Sequence, residues 1–156
     1  MPDKTLAATG IEIWTEDFGN PGDPATLLIM SAGAQGIRWP QELVDGLVDA
    51  GRHVIRYDNR DTDQSTCFDF ATHPYTLDDL ALNAVGVLDG YGIAAAHVVG
   101  ASTGGMIVQT LMLKHRPRVR SATIIIMSSP ISGGGGDMTE FATNDLPGRV
   151  RTSWSG

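Results

Sequence analysis

Residues 100–104, Gly-Ala-Ser-Thr-Gly, form a G-x-S-x-G pattern between a short apolar run and a segment with helical periodicity. A serine on such a strand-to-helix turn is held in a strained conformation, with its hydroxyl exposed above the edge of the sheet. Gly100 and Gly104 keep the tight turn free of side chains, and the first amides of the helix face a developing oxyanion. The pattern predicts a serine nucleophile at Ser102. The structural alternative is a glycine-rich turn around a buried, hydrogen-bonded serine.

Strand and helix signals alternate on both sides of this pattern. The predicted strands are residues 5–9, 11–15, 26–30, 54–57, 97–99 and 122–127. The predicted helices are residues 40–50, 76–90 and 103–116. Strands that alternate with helices predict an α/β fold, with a mostly parallel sheet that has helices on both faces.

The sequence changes character after Pro130. Gly133 to Gly136 is a run of glycines, and the remainder is polar without a clear period. We therefore predict a core domain over residues 1–130, and a glycine-rich linker or the start of a lid segment over residues 131–156.

Composition argues against several classes of function. The net charge of −7 disfavours nucleic acid and anionic membrane surfaces as partners, because their binders concentrate lysine and arginine. No apolar run is long enough to span a bilayer and none follows the N-terminus as in a signal peptide, so we expect a cytoplasmic protein. The single cysteine, Cys67, argues against an internal disulfide and a cysteine metal cluster. We expect neither a metal nor an organic cofactor.

Several segments besides the serine pattern resemble one enzyme superfamily. They are Ile11–Trp14, Asp17–Gly19, Arg56–Thr62, His73–Tyr75 and His97–Gly100. Together with the serine pattern, they resemble the N-terminal half of the α/β-hydrolase superfamily, and within it the aclacinomycin methylesterase-like serine esterases. The resemblance runs from about residue 8 to about residue 130. It implies the N-terminal part of that fold, without the last strands.

The resemblance also implies an activity and a set of roles. The activity is hydrolysis of a carboxylic ester, such as a methyl ester of a small molecule, through an acyl-enzyme on Ser102. The amide of Thr103 is then one oxyanion donor. The second donor comes from the loop after the strand at 26–30, where Ala32 is the expected residue and Gly33 the alternative.

The loop from Asp58 to Ser65 departs from the superfamily pattern D-x-R-G-x-G-x-S, because Asp61 and Asp63 replace its glycines. We expect this loop to act as a scaffold for the site. Asp58 and Arg60 are expected to form an internal ion pair rather than to take part in catalysis.

The acid and the histidine that complete a serine triad are not evident in the sequence. In this superfamily they follow the serine in the order Asp or Glu, then His. His97 and His115 are expected about 16 and about 20 Å from Ser102, along an extended strand and a helix respectively. His53 begins a different strand. His73 is the histidine in a loop on the serine's edge, but beside Pro74 and before a helix start it is expected to be a structural turn residue. We therefore expect little esterase turnover unless another segment supplies the acid and the base.

The last predicted strand and the missing triad residues suggest a partner chain and an alternative function. The predicted strand 122–127 is an apolar edge, which would recruit a second chain or a copy of the same chain. A non-catalytic, truncated hydrolase that acts as a binding or regulatory protein is the alternative function. A nucleotide-binding domain is disfavoured, because neither G-x-G-x-x-G after the first strand nor G-x-x-x-x-G-K-[ST] is present.

Overall fold

The computed structural model describes residues 3–8, 10–31, 34–60, 65 and 76–125. Its strands are β1 Asp3–Ala8, β2 Ile11–Phe18, β3 Ala25–Ile29, β4 His53–Tyr57, β5 Ala96–Ala101 and β6 Val119–Ile125. Its α-helices are α1 Gln41–Asp49, α2 Leu77–Gly90 and α3 Thr103–Lys114. Short 3₁₀ turns are formed by Gly36–Arg38 and Arg116–Arg118.

The predicted strands and helices are all present in this range, and their ends differ by a few residues. The sequence predicts that helix α3 reaches Arg116, but the helix ends at Lys114 because His115 leaves the helical conformation, with φ −130° and ψ 38°. Pro117 has no amide hydrogen to continue the helical bonding, and the chain goes on as the 3₁₀ turn Arg116–Arg118. Strand β6 begins at Val119, three residues earlier than predicted. The predicted linker or lid at 131–156 lies outside the described residues and stays a prediction.

The strands form one sheet in the order β1-β2-β4-β3-β5-β6. Strands β1 and β2 are antiparallel to each other, and β2 is antiparallel to β4. From β4 onward the neighbouring strands are parallel, and each parallel connection passes through one of the three helices. This mostly parallel sheet confirms the predicted α/β class.

Helices cover both faces of the sheet because successive side chains of the buried strands point to opposite sides. On one face, Leu27 and Ile29 of β3 belong to a core cluster with residues of α2 and α3. On the other face, Leu28 of β3 packs with Val54 of β4 and Val44 of α1. Strand β3 is therefore buried on both sides, and its C-terminal end is held rigidly next to that of β5.

Candidate active site

Ser102 lies at the predicted position, on the turn that connects β5 to α3. Its backbone has φ 53° and ψ −118°, and it is the one non-glycine residue with a positive φ in the part of the chain that the structure describes. Such a conformation costs on the order of 1–3 kcal/mol and persists only when its surroundings hold it. The Ser102 amide donates to the Ile125 carbonyl at 3.0 Å, and the Ser102 carbonyl accepts from the Gly105 amide at 2.8 Å. The residue is exposed to solvent, unlike the serine of the alternative interpretation.

Three glycines make this turn possible because the backbone passes close to neighbouring elements. A β-carbon at Gly100 would overlap the Gly104 carbonyl oxygen and lie 2.7 Å from the Gly105 amide nitrogen. A β-carbon at Gly104 would overlap the carbonyl oxygen of Ile29, at the end of β3. A β-carbon at Gly105 would lie 2.7 Å from a side-chain carbon of Ile124 in β6. Gly105 was not singled out from the sequence, although it directly follows the predicted elbow glycine.

The loop after β3 reaches the first turn of α3. Ser31 Oγ donates to Thr103 Oγ1 at 3.3 Å, and the Ala34 amide donates to the Ser31 carbonyl at 3.0 Å. Thr103 is the first residue of α3, where backbone amides have no partner within the helix. Residues 32 and 33 lie outside the described residues, so the choice of Ala32 over Gly33 as an oxyanion donor stays a prediction.

Two buried polar residues after β4 hold both ends of that loop. Asp58 Oδ1 accepts from the Gly36 amide at 2.7 Å, and Asn59 Nδ2 donates to the Met30 carbonyl at 3.1 Å. Asp58 and Asn59 are each 1% exposed. The sequence predicts that this segment acts as a scaffold, but no pattern along the chain indicates these two contacts. Arg60 donates to Asn83 Oδ1 at 2.9 Å, and its expected pairing with Asp58 stays a prediction.

Residues 25–155 match the family model for the alpha/beta hydrolase fold. The chain belongs to the α/β-hydrolase family. Two relatives are the rhodomycin D methylesterases DnrP of Streptomyces peucetius and DauP of Streptomyces sp. (strain C5), which are 44% and 42% identical to it over 126 residues. Both matches cover 81% of this chain and 42% of the relative, so the chain spans about two fifths of the length of these relatives.

A solved structure agrees with the family assignment. The crystal structure of epoxide hydrolase A from Mycobacterium thermoresistibile matches this α/β-hydrolase chain with a TM-score of 0.73 and 25% identity. The match covers 79% of this chain and 38% of that chain.

The described histidines of this α/β-hydrolase chain lie away from Ser102, as the sequence predicted. His53 begins β4, and His97 is the second residue of β5, so both are at the opposite end of the parallel strands from Ser102. His115 follows the C-terminal end of α3. His73, the remaining candidate, lies outside the described residues.

His53 has a structural partner instead. Its Nε2 is 2.7 Å from Asp17 Oδ2, and the His53 side chain is 3% exposed. Tyr91 packs edge-on against the His53 ring and donates to Asp17 Oδ1 at 3.4 Å. Burial raises the pKa of the Tyr91 hydroxyl to about 12. The cluster therefore fixes β2 against β4 and the end of α2.

His97 is also occupied, through a 2.6 Å contact between its Nδ1 and Ser121 Oγ on β6. Partial burial lowers the pKa of His97 below its ordinary value, and the charges of Arg52 and Arg120 lower it further. The contact between His97 and Ser121 therefore joins β5 to β6 at the far end of the sheet from Ser102.

The described ranges contain no group of three His, Cys, Asp or Glu side chains that could hold a metal ion. No helix in those ranges has the length and apolarity needed to cross a membrane. A groove of about 440 Å³ lies between β1 and α2, and Asp89 is the one titratable residue among the described residues that line it. Because the lining does not include Ser102 or Thr103, this groove is separate from the candidate site.

Proposed function

We propose that this chain carries the nucleophile and the oxyanion donors of a serine hydrolase that acts on carboxylic esters. The observation that carries the proposal is the exposed, positive-φ conformation of Ser102 at the turn between β5 and α3. A serine there is presented to a substrate at the carboxyl edge of the parallel strands, where ligands of open α/β sheets bind. The triad acid and histidine are proposed to come from another segment or a second polypeptide rather than from residues 1–156.

The proposed reaction is acyl transfer in two steps. Ser102 Oγ attacks the ester carbonyl, and a histidine accepts its proton and passes it to the leaving alcohol. The Thr103 amide, together with the Ala32 amide, stabilises the negative oxygen of the tetrahedral intermediate. Water then attacks the acyl-enzyme and releases the carboxylic acid and free Ser102. No metal or organic cofactor is needed for these steps.

The proposed substrate is a methyl ester of a small molecule. Support comes from the two relatives at 44% and 42% identity, which are both rhodomycin D methylesterases. The same fold hosts other hydrolytic reactions, so the ester assignment depends on Ser102 as nucleophile and on these relatives rather than on the fold.

A second polypeptide, or a second copy of this chain, is proposed to cover strand β6. In the described sheet β6 pairs with β5 and forms an edge, and Ile125 near its end is 38% exposed. Unpaired strand edges recruit further strands. Light scattering on the purified chain tests this point, because a monodisperse monomer without a companion polypeptide would contradict it.

The catalytic proposal is tested with a short p-nitrophenyl ester. The 156-residue chain is measured alone and joined to the part of rhodomycin D methylesterase DnrP that follows the matched segment. We expect little turnover by the chain alone, turnover by the joined protein, and loss of that turnover in its Ser102→Ala variant.

The alternative is a non-catalytic binding or regulatory protein. The observation in its favour is that His53, His97 and His115 all lie away from Ser102. It would gain support if the joined protein folds, has the complete set of triad residues and yet hydrolyses no ester. Turnover that depends on Ser102 would exclude it.

A further inference from the structure

We propose that Asp58 and Asn59 are positioning residues for acyl transfer. Their side chains hold the loop of residues 30–36, from which the second oxyanion donor is expected, against the first turn of α3. The inference rests on the proposed function, because it assigns these residues to the site that contains Ser102.

The two side chains reach opposite ends of one loop from adjacent positions. Asn59 binds the Met30 carbonyl at the start of the loop, and Asp58 binds the Gly36 amide at its end. Both residues directly follow β4, which is hydrogen-bonded to β3 in parallel register. The loop is therefore anchored at both ends to one rigid part of the sheet.

The end of the loop also lies against β4 itself. A β-carbon at Gly36 would lie 2.7 Å from the Tyr57 carbonyl oxygen, so the chain has little room to move there. Ser65 Oγ donates to the Asp58 carbonyl at 2.7 Å and accepts from the Trp14 amide at 3.0 Å. These contacts fix the backbone of Asp58, and a fixed backbone restricts where its carboxylate can be placed.

Ser31, near the start of the loop, contacts the residue that follows the proposed nucleophile. The hydrogen bond from Ala34 to Ser31 closes a turn, and the Ser31 hydroxyl contacts the hydroxyl of Thr103. Thr103 follows Ser102 and provides the first oxyanion donor in the proposed mechanism. Asp58 and Asn59 therefore hold Gly36 and Met30, and Thr103 contacts Ser31 between them.

Positioning matters because an oxyanion donor must be in place before the charge develops. Removing one such donor typically lowers the rate by about 10²–10³-fold. A carboxylate forms a stronger hydrogen bond with a backbone amide than a neutral acceptor does. Asp58 is therefore suited to holding the Gly36 amide while the loop binds an anion.

The test uses slow phosphonylation of the 156-residue chain by a fluorophosphonate, followed by measurement of the intact mass. Asp58→Leu removes the acceptor for the Gly36 amide, whereas Asp58→Asn keeps an acceptor oxygen. Asn20→Ala is the matched control, because it breaks a 3.0 Å side-chain bond to the Gly22 amide at the opposite end of β3. Hydrogen exchange of the Gly36 amide is followed by NMR in the same samples.

We expect phosphonylation of Asp58→Leu to be at least about tenfold slower than that of the wild type, with faster exchange at Gly36. The Asp58→Asn and Asn20→Ala variants are expected to stay within about threefold of the wild-type rate. If Asp58→Leu does not fold, Asn59→Ala replaces it, because it removes the bond to Met30 at the other end of the loop.

The inference is overturned if the Asp58→Leu protein exchanges the Gly36 amide at the wild-type rate. It is equally overturned if phosphonylation of Asp58→Leu, or of Asn59→Ala in its place, stays within about threefold of the wild-type rate. It is also overturned if Asp58→Asn is slowed as much as Asp58→Leu, because the hydrogen bond would then not be what matters. Failure of the proposed function gives a different result, in which the label persists in Ser102→Ala or never forms on residue 102. In that case the inference fails with it, even if exchange at Gly36 responds.

Discussion

Gly104 lies so close to the carbonyl group of Ile29 that a β-carbon at residue 104 would overlap the carbonyl oxygen. This close approach places the first turn of α3 against the end of β3. The two proposed oxyanion donors belong to these two places, because Thr103 begins α3 and Ala32 is in the loop after β3. The strained turn at Ser102 is thus supported by a neighbouring strand as well as by its own hydrogen bonds.

Substitution of Gly104 by alanine is expected to lower the free energy of unfolding by about 2 kcal/mol or more, because the overlap is with backbone that cannot rotate away. Gly46→Ala is the matched control, since Gly46 lies in α1 with nothing within 4 Å of a β-carbon. Gly46→Ala should raise the free energy of unfolding by about 0.5–1 kcal/mol, because alanine favours the helical conformation more than glycine does. Denaturant unfolding measures both, and equal effects of the two substitutions would contradict the packing argument.

Replacement of Ser102 by glycine should increase stability while it removes the nucleophile. Glycine adopts a positive φ without strain, so we expect a gain of about 1 kcal/mol, reduced by the greater freedom of the unfolded chain. Ser102→Ala keeps a β-carbon and should show no such gain. Urea unfolding of the two variants decides the point, and a less stable Ser102→Gly protein would show that the turn is not strained.

The buried pair of His53 and Asp17 should contribute more to stability than an exposed pair does. Asp17→Ala leaves the His53 Nε2 atom buried without its partner, which is expected to cost about 1–3 kcal/mol. Lys114→Ala breaks the exposed contact with Asp78 and should change stability by less than about 1 kcal/mol. Thermal and urea unfolding report both values. A larger loss in Lys114→Ala would refute this ranking.

His97 should make the fold less stable in acid. Its pKa is lower in the folded chain than the ordinary value of 6.5, so the unfolded chain binds the proton more readily. The contribution of His97 to the free energy of unfolding is therefore complete above pH 6.5. It decreases as the pH falls from 6.5 toward the lower pKa of His97 in the folded chain. A His97→Gln variant should lose less stability than the wild type over this range. Parallel stability curves from neutral to acidic pH would contradict the assignment to His97.

The sequence predicts well those features that depend on neighbouring residues. Thr76 accepts from the Asp79 amide and Asp79 accepts from the Thr76 amide, which is the cap that a threonine followed three residues later by an acid typically forms at a helix start. The sequence likewise predicts the turn at Ser102 from the G-x-S-x-G spacing, because the residue types of that pattern lie within five consecutive positions.

Contacts between distant segments could not be found in this way. The bond from Asn59 to the Met30 carbonyl joins residues 29 positions apart, and it exists only because β3 and β4 are neighbours in the sheet. The closeness of Gly105 to Ile124 likewise depends on how α3 packs on β6. No pattern along the chain distinguishes these residues from other loop asparagines and helix glycines.

The central claim is that Ser102 is the residue that accepts an acyl group. Peptide mapping after reaction with a fluorophosphonate tests it most directly, in the chain alone and in the chain joined to the later part of DnrP. We expect slow labelling in the first and rapid labelling in the second, with the adduct on Ser102 in both. An adduct on another residue, or none in the joined protein, would contradict the claim.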